Sequence, residues 1–416
     1  MLNKLQDKIY NLLRRSEKYT QTDMVYLAKG GFWLTFGQVI SIATAFILAV
    51  AFANLLPKEI YGQYKYVISI LGILLLSNMS GINTAFTRAV ARGFEGSMFK
   101  DLKIKLRWSI LGVVASLILA IYYYTNQNIL LATAFLITAP FVILFENFAI
   151  YNSYLHGKKR FGELTKYSSI IKIISLVIIV ITAYLSNNLY LLLLALFVPH
   201  SLLHIIFLLR EKKLNIFNKT EDQDTIDYGK KLSFINIITT VANQLDKILI
   251  FHYLGAVDLA IYAFAMAPPE QIKNLMKNVQ NLAFPKFAEK SKEEIKQSIF
   301  KKSLKLSIAM AFIITIYILL APIFFKLFFP QYIEAVVYSQ IFSLSLLTLP
   351  VLMFQTALRA QKMTKQILQL DLISSISQII LTFFLVSNFG LWGAIIARSI
   401  YRLINLAASF MLFKKN

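Results

Sequence analysis

Apolar residues run along this chain in long blocks separated by short polar connections, and the blocks recur from residue 31 almost to the last residue. A helix needs about 20 such residues to cross the hydrocarbon core of a bilayer. The pattern therefore predicts twelve transmembrane helices, at 31–54, 64–86, 107–125, 128–152, 167–186, 188–209, 232–254, 259–285, 304–328, 335–358, 367–387 and 391–413. The eighth is unusual, because its second half reads PPEQIKNLMKNVQNLAFPK at 268–286, a stretch that resembles a soluble helix.

The polar connections decide how that stretch is placed. Residues 88–107, 156–160, 210–231, 286–305 and 359–365 are rich in lysine and arginine, whereas 125–128, 186–188 and 387–390 hold none. This alternation is the positive-inside pattern, and it predicts that both termini face the cytoplasm. If 259–285 did not cross, every later connection would change sides, so the polar stretch is expected to be the cytoplasmic half of a span. Pro268 and Pro269 are expected to break or kink it. Before the first span, Leu2, Leu5, Ile9, Leu12 and Leu13 recur at helical spacing among basic residues, which suits a helix lying on an anionic membrane surface. No short apolar run with a small-residue cleavage site marks a removable signal.

Shifted by 198 residues, the two halves of the sequence fall into register. Leu56, Tyr64, Asn83, Ala85, Phe86 and Arg88 fall on Leu254, Tyr262, Asn281, Ala283, Phe284 and Lys286, and LRWSI at 106–110 falls on LKLSI at 304–308. Each repeat holds six spans, an even number, so the halves insert with the same orientation and relate through a pseudo-two-fold axis along the membrane normal. The expected organisation is an interfacial segment at 1–30, a six-helix bundle at 31–209, a linker at 210–231 and a second six-helix bundle at 232–416. The fold class is an all-α integral membrane protein of two parallel bundles in a V.

Polar residues inside spans mark the candidate site. On the seventh span Asn236, Thr240, Asn243 and Lys247 share one face, flanked by Gln244 and Asp246, and Gln38 of the first span occupies the repeat position of Asn236. On the eighth, Glu270, Lys273, Asn274, Lys277 and Asn281 recur at three and four. Glu146, Lys172, Asp371, Arg398 and Arg402 are further ionisable residues within spans, of which Lys172 and Asp371 read as edge residues that snorkel. His200, His204 and His252 read as lying near span ends, with no carboxylate at metal spacing. Lysines, arginines and amides on facing spans suit ligands with many acceptor oxygens, such as phosphates and sugars. Asp246 and Glu270 are the candidates for a coupling ion, proton or sodium; no other cofactor and no metal is expected.

Composition narrows the choice. The 416 residues are 57% hydrophobic and carry a net charge of +22, but the basic residues sit in the connections. There the charge sets topology and draws the protein to anionic lipid, so no nucleic-acid partner is expected. Without cysteine, thiolate chemistry is excluded. No connection exceeds about 25 residues, which leaves no room for a catalytic domain, and no enzymatic activity is expected.

The stretch NQLDKILIFHYLGAVDLAIYAFAMAPPEQI, followed by NLAFPKFAEK, resembles the seventh and eighth spans of the polysaccharide flippases, within the superfamily that also holds multidrug antiporters and the lipid II flippase. LLPKEIYGQYKYV at 55–67 and GINTAFTRAVAR at 81–92 resemble that family's first external turn and second cytoplasmic connection. The resemblance implies alternating-access movement of an undecaprenyl-diphosphate-linked oligosaccharide across the bacterial cytoplasmic membrane for surface polysaccharide synthesis. It matches Asp246 and Lys247 to the family's acidic-basic pair. It further implies a monomeric transport unit, with a polysaccharide polymerase and a chain-length regulator as protein partners. A multidrug antiporter and a lipid II flippase share the fold; the first calls for a carboxylate-rich cavity, and the second commonly adds two spans.

Overall fold

The computed structural model describes residues 24–288, 292–361 and 363–414, apart from 216, 219 and 223; the side chains of 24–29, 277–286, 288, 292 and 296 also lie outside the described residues. The expected surface helix at 1–15 therefore lies outside them. Every regular element among the described residues is helical.

Ten helical stretches are long and apolar enough to cross a bilayer. One of them, Thr364–Lys414, makes two passes, because Gly390 (φ 56°) interrupts it. The polar helix Ala256–Ala288 is not among the ten, and adding it gives twelve spans. Spans 1 to 6 are Met24–Leu55, Lys58–Ala91, Met98–Thr125, Ile129–Gly157, Phe161–Leu185 and Leu189–Leu214. Spans 7 to 10 are Thr225–Leu254, Ala256–Ala288, Lys292–Phe328 and Ala335–Ala360, and spans 11 and 12 flank Gly390. Several are longer than their apolar cores, because polar turns extend the helix past the hydrocarbon. The end of the molecule with the lysine-rich connections is here called the basic end, and the other the neutral end.

Three spans are interrupted part-way, which the hydropathy pattern does not foretell. Span 2 passes through a 3-10 turn at Leu75–Asn78 and a left-handed Met79, span 4 through Asn147–Ala149 and span 10 through Ser345–Thr348. A break within a bilayer leaves backbone groups that water does not reach, so they need other partners. Side chains supply them: Ser77 Oγ donates to the Leu74 carbonyl at 2.7 Å, Asn78 Nδ2 to the Val142 carbonyl at 3.0 Å, Asn147 Nδ2 to the Ile143 carbonyl at 3.0 Å and Ser345 Oγ to the Phe342 carbonyl at 2.6 Å. Asn147 and Ser345 stand 198 residues apart, so the break in the fourth span of each bundle repeats with the sequence. Of the break or kink expected at Pro268 and Pro269, a break does not occur: span 8 is one helix from Ala256 to Ala288. The carbonyls of Phe264 and Ala265 lose their donors to the prolines, but both residues are fully buried, and packing holds the helix together.

The spans form two six-helix bundles whose outward faces are apolar, with Ile118, Leu185, Phe312 and Leu319 among the exposed residues. Serine, threonine and asparagine are turned inward, as expected where lipid rather than water is the solvent. Spans 2, 7 and 8 form the seam between the bundles. Toward the neutral end Tyr66 stacks on Phe251 at 3.9 Å between ring centres and Tyr61 meets Phe264 at 4.7 Å. There Asn54 Nδ2 donates to the Phe328 carbonyl at 3.0 Å and Lys58 pairs with Glu334. Toward the basic end the Gly81 amide donates to Ser233 Oγ at 3.0 Å and Arg88 lies over the Tyr228 ring.

Candidate functional site

Most of the candidate residues of the second bundle converge on one ion-pair network joining spans 7, 8 and 12. Asp246 is fully buried, and its Oδ2 accepts from Arg398 Nε at 2.7 Å and from the Tyr262 hydroxyl. Arg398 also reaches the Asn243 carbonyl at 3.3 Å and lies 3.7 Å from Glu270. Glu270 is held by Arg402 and by Lys273 Nζ at 3.1 Å. Arg402 donates from Nη1 to Ser345 Oγ at 2.7 Å, at the break of span 10, with its guanidinium over the Phe342 ring. Lys247 Nζ donates to Gln244 Oε1 at 2.9 Å and to the Asn243 carbonyl at 3.0 Å, and lies 4.0 Å from Asp246.

Burial divides this network into two layers. Arg398 and Arg402 are inside the bundle, whereas Lys247, Glu270 and Lys273 retain 25–28% of their side-chain exposure. Asp246 within and Glu270 at the outer edge match the two arginines in number. The outer layer adds two lysines, so four cations stand against two carboxylates and the group keeps a positive surplus.

The remaining candidates stand apart. Asn236 is exposed and reaches Ser80 Oγ across the seam at 3.5 Å; Gln38 and Asn274 are half-buried, and no bond joins them to this network among the described residues. The side chains of Lys277 and Asn281 lie outside the described residues. Lys65 of span 2, which the sequence does not single out, adds a cation from the opposite bundle; its ammonium lies over the Tyr61 ring.

The first bundle contributes a polar wall whose members the sequence reading names without bringing them together. A cavity of about 300 Å³ is lined by Asn83, Glu146, Asn152, Lys172, His200 and His204, with smaller residues between them. Lys172 is not an edge residue: it sits near the middle of Phe161–Leu185 and opens into this space. His200 and His204 are likewise well inside Leu189–Leu214, and Glu146 lines the same cavity. Lys105, almost wholly buried, donates to Asn83 Oδ1 at 2.7 Å. The signal for this wall was present as single ionisable residues on four spans, but nothing in their spacing shows that they meet. At the basic end a groove of about 670 Å³ between spans 1 and 5 is floored by Trp33, Phe36, Ile170 and Ile173 and rimmed by Lys159 and Lys166.

Two bundles of six spans, with a cationic, amide-rich set of side chains among them, make a multi-pass membrane protein. The profile of the polysaccharide biosynthesis protein family matches residues 27–289, more than half of the chain, and the chain belongs to that family. Among solved structures, the lipid II flippase MurJ in an inward closed conformation is 15% identical, with 92% of this chain and 87% of that one covered and a TM-score of 0.63. The MATE multidrug transporter DinF-BH is 13% identical, with 94% and 95% covered and a TM-score of 0.66. A MOP superfamily transporter from Pyrococcus furiosus is 12% identical over 94% and 95%, with a TM-score of 0.59. These likenesses show the fold. No curated protein matches the sequence.

Proposed function

We propose that the chain is a flippase that carries a polyprenyl-diphosphate-linked oligosaccharide across the bacterial cytoplasmic membrane by alternating access, with the basic end in the cytoplasm. The observation that carries this reading is the cationic surplus around Lys247, Lys273 and Lys65, in a chain of the polysaccharide biosynthesis protein family. A diphosphate offers several anionic oxygens, and lysines flanked by amides can bind it with charge-assisted hydrogen bonds. Asn236, Asn243 and Asn274, with Gln38 of span 1, supply donors and acceptors for the sugar, and Lys277, four residues after Lys273 in the sequence, is proposed as a further cation for the diphosphate. Arg398 and Arg402 hold the carboxylates in place behind them. A cationic drug would meet the opposite condition, since Asp246 and Glu270 already have arginine partners. The same pairing means that a coupling cation at either carboxylate must displace a guanidinium.

Deleting the gene tests the reading. Lipid-linked oligosaccharide should accumulate in the cytoplasmic leaflet while surface polysaccharide falls. Unchanged surface polysaccharide, with no such accumulation, overturns it.

A further inference from the structure

The last span of each bundle presents two basic positions one helical turn apart, and the 198-residue offset superposes them: His200 on Arg398 and His204 on Arg402. In the second bundle the two side chains are permanently charged and already matched by Asp246 and Glu270. In the first bundle the same two positions hold imidazoles, which carry no permanent charge. The repeat thus pairs a site of fixed, matched charge with one whose basic groups are uncharged imidazoles.

The imidazoles sit on a polar route into the bundle. Their cavity shares Asn83 and Asn152 with a second one of about 590 Å³, lined at the basic end by Arg88 and His156. It shares Lys172 and His200 with a third, of about 250 Å³, against Ser41 and Thr44 of span 1. Glu146, beside the break in span 4, is exposed within the middle cavity. Charged or titratable groups face it from the surrounding elements: Lys105 from span 3, Lys172 from span 5 and both imidazoles from span 6, while span 2 offers the neutral Asn83. His204 Nδ1 meets the Tyr151 hydroxyl at 3.0 Å. His200 lies face to face with Phe145 at 4.1 Å and edge-on to His204 at 4.6 Å. The buried Oδ1 atoms of Asn147 and Asn152 have no hydrogen-bond partner among the described residues.

We propose that this cavity is a proton-binding site, in which Glu146 accepts a proton from hydronium entering at the basic end, leaving water, and His200 and His204, lining the same cavity, tune its affinity. Sodium fits the site poorly. It brings its own positive charge to a single carboxylate flanked by two lysines, and imidazoles offer it no anionic ligand. Protonation removes the negative charge that lines this cavity beside Lys172 and the imidazoles, next to the repeated helix break. Only the consequence for coupling rests on the flippase reading: the first bundle, rather than the arginine-matched Asp246 and Glu270, then takes up the proton that drives transport.

The test is an infrared pH titration of the full-length protein in lipid without substrate. The wild-type minus Glu146→Gln difference should show a titrating carboxylic-acid band, Glu146→Asp should restore it, and the double His200→Gln, His204→Gln variant should move its midpoint. Elution as a folded monodisperse species qualifies each variant, and Glu146→Asp guards against loss of signal through misfolding. A Glu146→Gln spectrum that titrates like wild type, or a midpoint indifferent to both imidazoles, overturns the proposal. Because no transport is measured, failure here leaves the flippase reading standing, and failure of the deletion test leaves the proton site standing.

Discussion

The charges of the second bundle divide by what their removal leaves behind. Asp246 has no exposed side-chain surface, so without Arg398 its carboxylate would be a buried, unpaired charge. Breaking such a pair on one side commonly costs about 3–5 kcal/mol. Arg398→Ala should therefore lower the unfolding temperature in detergent far more than Lys273→Ala, whose partly exposed pair is worth about 1 kcal/mol or less. Equal losses would show that the two layers are one structural cluster. Function should fall in the opposite order. Replacing Lys273 and Lys277 together by glutamine keeps polar, helix-compatible side chains while removing charge, so protein level should hold and glycan export should drop. Arginine at both positions should keep more export than glutamine, and full export by the glutamine pair would mean that these lysines only pack or pair. The sequence shows that charges lie in spans, but not their partners: Arg398 lies 152 positions from Asp246, and only the packing of span 12 against span 7 joins them.

Along whole helices, legibility followed solvent. Spans bounded by uncharged connections could be read because lipid demands a continuous apolar outer face. The eighth could be read only through the charges after it. The breaks in spans 2, 4 and 10 could not, because they are set by what Asn78, Asn147 and Ser345 bond to, and not by a change in hydropathy. Glycine marks where the seam is tightest. A Cβ on Gly81 would stand 2.4 Å from the Gly229 oxygen and 2.4 Å from the Ser233 nitrogen, and one on Gly62 would stand 1.8 Å from the Ala256 oxygen. All of these are backbone atoms, so a substitution must part span 2 from span 7 or 8. Gly81→Val and Gly62→Val should each lower the unfolding temperature, whereas Gly31→Ala, with nothing within 4 Å, should not. An unfolding temperature unchanged by Gly62→Val would mean that the seam is looser than the backbone contacts indicate.

At the scale of the molecule, charge sets orientation and the seam sets what must move. Cysteines at Asn126, Asn187 and Asn388 should react with an impermeant thiol reagent applied to intact cells, and one at Lys159 should not; labelling at Lys159 would reverse or break the topology. The chain has no native cysteine, so each signal is unambiguous. The same property allows a lock. At the neutral end Gln331 Nε2 lies 3.4 Å from the Asn54 carbonyl oxygen, Phe46 meets Phe328 at 5.2 Å, and Lys58 pairs with Glu334, so the ends of spans 1 and 2 meet span 9 and the connection to span 10 there. If cargo enters at the basic end, these contacts must part for it to leave, and they are few and partly polar. Backbone against backbone in spans 2, 7 and 8 makes that seam the natural pivot. A disulfide between Asn54→Cys and Gln331→Cys should therefore form under oxidation, arrest glycan export, and release it again on reduction, while either single cysteine exports normally. Undiminished export by the fully cross-linked protein would mean that the neutral end does not open between spans 1 and 9–10.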